Sequence, residues 1–498
     1  MTVTSNIVII GGGLAGTEAA FQLADRNIPV TLYDMKPTRR SPAHHSNDLA
    51  EIVCSNSFGS QGPTTASGLL KLEMETLGCK LLQIAQSVSV PAGKALAVDR
   101  DAFAREVTRQ IMAHPYITFK DEELSEFPEA EFTILATGPM TTPALTQHLS
   151  ELLKRDQLYF FDAASPIVVK DSIDFNIAFY QDRYGNEKDP KDPQDTEDQR
   201  SNQTAGENRS YINCPLDKPQ YEALIQKILA AEKTPLKSFE ETEAQKTKFF
   251  ESCLPVEVIA SRGTNTLRFG PMKPVGIEDP RTGRWPYAVV QLRQDNAEGT
   301  LYNIVGFQTN IKWGEQKEMI QLIPGLENAE VVRYGVMHRN TFIHSPEVLQ
   351  PTLQLKEHPH ILVAGQLTGT EGYTESIATG MMAAINISRL IQEKSALSLP
   401  NNTMLGALLH YITREEAIGK NFQPINSNWG LMPELKDIGG QLKKKKDRPA
   451  RNAAYVKRAL QSLHQLNCEE HLSMEAPETP PLLYLELAAD APVAAPSI

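Results

Sequence analysis

The chain has 498 residues, of which 41% are hydrophobic and 22% charged, the balance of a globular protein with room for two or three domains. It is long enough to bury a core without disulfide or metal staples, which excludes collagen-like, wholly disordered and small disulfide-scaffold classes. The net charge of −12 is concentrated in 186–208 (seven acidic, three basic) and 469–498 (six acidic, none basic), so the body is close to neutral and neither demands nor excludes a basic surface for nucleic acid.

The elements follow in chain order. Val8–Ile10 is a β-branched strand that runs into glycines, residues 14–25 are helical, and Ile28–Tyr33 is a second strand ending at Asp34, together a β–α–β unit. Residues 67–87 keep helical spacing, 101–113 form another helix, and Phe132–Ala136 reads as a buried strand. From 151 to 330 short alternating runs broken by Pro and Gly predict a mixed, partly antiparallel domain. Within it, 186–208 is nearly devoid of apolar residues and reads as a mobile insertion. Strand–glycine–helix character returns at Ile361–Gly365 and 375–392, and helices follow 400. The expected organisation is an α/β FAD domain of the two-dinucleotide-binding, Rossmann-like type, with an inserted mixed α+β domain. Its first part is 1–150, the insertion 151–330, the return segment and C-terminal helices 331–468, and a flexible acidic tail 469–498.

Five scattered cysteines (Cys54, Cys79, Cys214, Cys253, Cys468) without a C-x-x-C pair argue against a disulfide framework or zinc site, and no metal is expected. No apolar run approaches the ~20 residues of a membrane span. No basic, cleavable leader precedes the first strand. A cytoplasmic protein that does not engage membranes is expected.

Gly11-Gly12-Gly13-Leu14-Ala15-Gly16 fits G-x-G-x-x-G between a strand and a helix. Gly11 suits the tight turn, Gly13 the approach of a pyrophosphate, and Gly16 close helix–strand packing; the helix N-terminus offers amides to phosphates. Asp34, ending the second strand, is placed to accept from a ribose hydroxyl. The late block Ala364-Gly365-Gln366 … Gly369-Thr370-Glu371-Gly372 returns a glycine-rich turn and small-residue helix to the first sheet, a pattern of FAD rather than NAD enzymes. A second complete fingerprint is missing, so a nicotinamide binds only transiently.

Beyond these motifs stand Pro42-Ala43-His44-His45, Val53-Cys54-Ser55-Asn56-Ser57, Asn213-Cys214-Pro215, Gly270-Pro271-Met272-Lys273-Pro274-Val275-Gly276, Val305–Asn310, Tyr334–Thr341 and Asn421-Phe422-Gln423-Pro424. With them the chain resembles, over roughly 1–450, the folate- and FAD-dependent tRNA uracil-5-methyltransferase family (TrmFO). The insertion at 186–208 and the tail after 468 depart from that pattern. The resemblance implies methylation of C5 of the T-loop uridine, position 54 of tRNA. The carbon comes from 5,10-methylenetetrahydrofolate, and FAD, reduced by NADH or NADPH, is both hydride source and one-carbon carrier. It also implies the tRNA T-arm as partner.

Uracil C5 becomes nucleophilic only when a group such as a thiolate adds at C6, and a base must later remove the C5 proton. Cys54 and Cys214 are the catalytic candidates: Cys214, before Pro215 on an expected fixed loop, as nucleophile or base, and Cys54 beside the flavin. Cys79 (inside a helix), Cys253 and Cys468 read as structural. Asp99 and Arg100 are expected to fix a loop over the ring. Lys273, Lys312, Arg333, His338 and Arg339 are assigned to folate carboxylates or RNA phosphates. Trp313 and Tyr334 are candidate base-stacking rings, and the basic run 443–448 reads as a solvated loop. Two rivals remain: an FAD-dependent NAD(P)H oxidoreductase on a small molecule, and a non-catalytic flavin-binding RNA chaperone.

Overall fold

The computed structural model describes residues 6–41, 43–155, 158–163, 165–183, 211–234, 254–335, 337–418, 422–435 and 448–473. The 186–208 insertion, the 443–447 lysine run, Cys253 and most of the tail lie outside them. Among the described residues no helix is long and apolar enough to cross a membrane.

Four apolar runs and the return strand build one five-stranded parallel sheet. Its order is Ile361–Val363, Phe132–Leu135, Ile7–Ile10, Val30–Asp34, Ile117–Asp121. Ile7–Ile10 is buried along its whole length, as expected of a central strand covered on both faces. Helix Leu14–Ala24 covers the sheet, and the return helix Tyr373–Ile391 packs directly on it. A Cβ on Gly380 would stand 2.1 Å from the Ala15 carbonyl oxygen, so the two helices meet backbone to backbone. The fold class expected from the sequence is the one observed.

The helical run over 67–87 is two helices, Ala66–Thr76 and Lys80–Ser87. Gly78 between them has φ +80°, a left-handed conformation that ends the first helix. Cys79 therefore precedes a helix instead of lying inside one. The buried Glu18 carboxylate caps the second helix, accepting from the amides of Lys80 and Leu81 at 3.1 and 2.8 Å. Glu73, also buried, does the same for Met404 and Leu405, and burial pushes its carboxyl up to about 8. These carboxylates satisfy helix-end amides that water cannot reach.

The chain leaves the first domain along Leu158–Ala163 and comes back along Met337–Phe342, and these two strands pair antiparallel. Between them lies a six-stranded sheet of 179–180, 211–216, 288–294, 301–304, 167–169 and 331–333 with its own apolar core. The strand Val331–Arg333 thus belongs to this second sheet, beyond the expected boundary at 330. At the other end, the last helix runs to Glu470. Leu472 is buried, its carbonyl accepts from Arg26 at 2.6 Å, and Glu470 pairs with Arg389. The chain therefore stays docked on the first domain at 469–472, where a tail was expected to begin.

Candidate functional site

The glycine turn and the return turn face each other. Gly11 has φ +108°, and a Cβ on it would meet the Ala136 carbonyl at 2.4 Å; a Cβ on Gly16 would sit 1.8 Å from the Gly11 oxygen. Glycine is obligatory at both, one for the turn and one for close packing. A Cβ on Gly13 would meet nothing within 4 Å, so space opens at the position where a phosphate approaches. The helix that follows has no side-chain cap, which leaves the amides of Leu14, Ala15 and Gly16 directed at that space. Asp34 Oδ2 accepts from the Gly12 amide at 2.6 Å and Oδ1 from Lys36 N at 2.8 Å, which holds the carboxylate at the rim of the turn.

On the return side, Gly365 (φ +74°) lies against Ala15 and donates its amide to Thr379 Oγ1 at 2.8 Å. Gln366 Nε2 donates to Glu371 at 2.6 Å. The hydroxyls of Thr368 and Thr370 donate to the Gly365 carbonyl. Gly369 (φ +81°) lies on the Phe422 ring, where a Cβ would come within 2.5 Å. Gly372 (φ +114°) opens the return helix, again with no side-chain cap. Two uncapped helix starts and an open Gly13 position form a cradle that fits the anionic diphosphate and electron-rich ring of FAD.

Cys54 stands at the edge of this cradle. Its amide donates to the Tyr373 hydroxyl at 2.8 Å, and Tyr373 is the first residue of the return helix. The Cys54 carbonyl accepts from Arg100 at 2.9 Å, and the Ile52 carbonyl at 3.1 Å. Arg100 also binds both oxygens of Asp295, at about 3.0 Å. Burial opposes its charge, but Asp295, then Tyr373 and Cys54, outweigh it and keep the guanidinium above the ordinary arginine value. Arg333 donates to the Val53 carbonyl at 2.8 Å; burial and the nearby Arg100 lower its pKa. Its Nε is buried with no protein partner, an unusual orphan that suits a carbonyl or carboxylate of a bound molecule. His45 is lowered by burial and by Arg333. Two guanidiniums, Arg100 from the first domain and Arg333 from the second, thus meet at the Cys54 loop, the former paired with Asp295.

Cys214 is elsewhere. It sits in the strand Tyr211–Leu216, opposite Val290, fully buried in the second core, and burial pushes its thiol far up. The expected loop is a strand. Pro215 is tolerated there because, among the described residues, the neighbouring strand Phe179–Tyr180 pairs only with Ile212 and Asn213 and asks no amide of Pro215. The structure does not bring Cys214 together with Cys54, and its position offers no face to a substrate.

Among the other candidates, Asp99 caps the helix Arg100–Ala113 and accepts from Ala297 N, while Arg100 pairs with Asp295. His44 Nδ1 is 2.6 Å from Ser41 Oγ. Lys312 pairs with Glu232. Trp313, 61% exposed, stacks on Tyr334 with ring centroids 5.7 Å apart, next to Arg333. The side chains of His338 and Arg339 lie outside the described residues. Sequence reasoning missed Asp295 and the role of Tyr373. The signal for the second was available, an aromatic residue directly after Gly372; for Asp295 there was none.

A family model described as glucose inhibited division protein A (GIDA) matches residues 6–395. The methylenetetrahydrofolate–tRNA-(uracil-5-)-methyltransferase TrmFO of Bacillus cereus (strain G9842) is 51% identical over 462 residues, covering 93% of this chain and 99% of the relative. The protein of the same name from Bacillus anthracis (strain CDC 684 / NRRL 3495) matches equally, at 51% over the same shares. The solved structure of Aquifex aeolicus GidA in its form I crystal, 15% identical, superposes with a TM-score of 0.62 over 97% of this chain and 87% of that one, which shows a shared fold. The chain belongs to the GidA family and, within it, to the methylenetetrahydrofolate–tRNA-(uracil-5-)-methyltransferases, TrmFO.

Proposed function

We propose that this chain methylates C5 of the T-loop uridine of tRNA, position 54. The carbon is drawn from 5,10-methylenetetrahydrofolate and the electrons from NADH or NADPH by way of FAD, and the work is done in the cytoplasm. The observation that carries the reading is the 51% identity to TrmFO along 93% of the chain. When bound, FAD supplies the reducing chemistry of the site.

The chain's own residues do the rest. The amides of Leu14, Ala15 and Gly16, with Gly11, Gly12 and Gly13 clearing the space, hold the diphosphate, and Asp34 faces the ribose. Gly365, Gln366, Gly369, Thr370 and Gly372 shape the turn that borders the ring. Cys54 is the thiol at the extruded base. Thiolate addition at C6 drives electron density through C5 towards the C4 oxygen, which lets C5 bond the one-carbon unit drawn from the folate; loss of the C5 proton and, once that carbon is reduced to a methyl, expulsion of the thiolate restore the ring. Arg333 Nε, unpartnered by protein, donates to a uracil carbonyl on which that charge develops. Arg100, locked by Asp295, fixes the backbone that carries Cys54. Cys214 has a packing role only.

The test traces the carbon. Holoenzyme with NADPH receives unmodified tRNA and methylene-labelled tetrahydrofolate, with labelled S-adenosylmethionine in a parallel tube. Label from folate in 5-methyluridine is expected. Rapid NADPH oxidation with no label in RNA overturns the reading in favour of a small-molecule oxidoreductase.

A further inference from the structure

The second domain carries a surface that the Cys54 site does not use. The short helices Val256–Ser261 and Thr266–Phe269 border a cavity of about 690 Å³ lined by Leu254, Ile259, Arg262, Asn265, Phe269 and Pro271. Phe269 is 74% exposed and Trp285 59% exposed, a large aromatic area to leave in water. Beside them stands a built cation–aromatic cluster. The Arg268 guanidinium lies 4.2 Å over the Tyr287 ring and 5.8 Å from the Phe269 ring, and donates to the Tyr287 carbonyl at 2.7 Å. Tyr287 in turn packs edge-on against Tyr221, whose hydroxyl donates to the carbonyl of Thr264 on the cavity wall. Trp285 lies two residues before Tyr287 on the same segment.

Charge decides what fits. Between Arg262 and Tyr287 there are five basic residues (Arg262, Arg268, Lys273, Arg281, Arg284) and two acidic ones, in a chain whose net charge is −12. One of the acids, Asp279, is consumed by Arg281 at 2.8 Å. Cations beside exposed aromatic rings are the chemistry of single-stranded nucleic acid, with phosphates neutralised and bases stacked. The position fits as well. Strand Ala288–Gln294 starts at this patch, where Val289 N donates to the Met272 carbonyl, and ends at the Cys54 loop, where Asn56 donates to the Gln294 carbonyl. Seven extended residues separate the two by about 20 Å.

We infer that this patch is a second anchoring surface for the RNA substrate. Phe269 and Trp285 stack on unpaired bases, and Arg262 and Arg284 meet phosphates, about 20 Å along the strand from the base being modified. The inference rests on the tRNA reading above and adds to it where the remainder of the RNA is held.

The test measures binding of a fluorescein-labelled unmodified tRNA transcript to holoenzyme by anisotropy, between about 50 and 200 mM salt. Phe269→Ala/Trp285→Ala is expected to weaken binding about ten-fold or more with an unchanged salt slope. Arg262→Gln/Arg284→Gln is expected to weaken binding and flatten the salt slope by about two. Methylation at saturating tRNA stays within about two-fold of the parent for both, as for a contact remote from the chemistry. Lys394→Gln, an exposed charge at the end of the return helix, serves as control, with flavin content and thermal midpoint reporting folding. Should the aromatic pair prove too damaging to fold, the arginine pair still reads the salt slope. Parent-like tRNA binding by both double variants overturns the inference alone. A changed oligomeric mass with unchanged tRNA binding overturns it in favour of a protein contact. A parent with no affinity for tRNA overturns the tRNA reading, and the inference with it.

Discussion

Cys54 and Cys214 are the same side chain in opposite surroundings. Cys54 is partly buried on irregular backbone where the two domains meet, its peptide groups tied by Tyr373 and Arg100 and its flank by Arg333. Cys214 is fully buried in a regular strand among apolar residues. The difference teaches what each place offers: the meeting of two domains brings buried guanidiniums to the loop that carries Cys54, the thiol proposed for the reaction, whereas a β-strand interior suits a cysteine to packing.

The scaffold beneath that meeting is the most sensitive part. Gly380→Val is expected to prevent flavin retention and cooperative folding, because its side chain has to enter the space of the Ala15 carbonyl and the two helices cannot separate without opening the cradle. Flavin absorbance after purification and thermal melting read this directly. A yellow, parent-like protein would break the claim that these helices set the site.

Cys54→Ala tests the first side of the comparison. Single-turnover methylation is expected to fall at least about a thousand-fold, while flavin content and tRNA affinity hold. RNA carrying 5-fluorouridine at the target sharpens the result. Loss of a covalent adduct in the variant assigns attack at C6 to Cys54, whereas an adduct that still forms, in a variant that no longer methylates ordinary uridine, assigns the attack to another group and leaves Cys54 the proton step. Cys253→Ala belongs in the same experiment, since that residue lies outside the described residues. Smaller still is Asp295→Asn, which removes the charge that locks Arg100. A fall on the order of ten-fold in methylation is expected, with no change in tRNA affinity. An unchanged rate would detach the Arg100–Asp295 pair from the site.

The two halves of the site differed in how far they could be read from sequence. The Gly11–Gly16 and Gly365–Gly372 turns are each a short segment with its own glycine spacing, and Asp34 ends the strand after the first, so spacing points to all three, although Gly11 packs on Ala136 and Gly369 on Phe422. The Cys54 surroundings are assembled across 46 residues to Arg100, 195 more from Arg100 to Asp295, and 319 from Cys54 to Tyr373, separations at which no spacing rule operates. The break at Gly78 shows the same limit at short range. Apolar periodicity runs on through 77–79, yet a single left-handed glycine lets a second helix start, capped by Glu18 from another element. Cys214 was misplaced for a related reason: a proline beside it suggested a loop, and only the pairing of neighbouring strands reveals a strand position that accepts proline.

The smallest expected effect lies at Cys214, and it bears most directly on the comparison. Valine adds no polar atom but exceeds a buried thiol by about a methyl group, so Cys214→Val should cost about 1–3 kcal/mol and leave methylation within about two-fold of the parent. Cys214→Ser, closer in shape to a thiol nucleophile, places a hydroxyl against apolar neighbours in the second core and should cost about 1–3 kcal/mol. A packing cysteine therefore loses stability with either side chain, and neither substitution stops the chemistry. A catalytic cysteine gives a different result: both substitutions abolish turnover, whatever their effect on the melt. Thermal midpoints set beside single-turnover rates for the two variants separate these patterns. Loss of methylation in a stably folded Cys214→Val would mean that the second core opens during the reaction, moving the reactive thiol from the domain junction into the sheet.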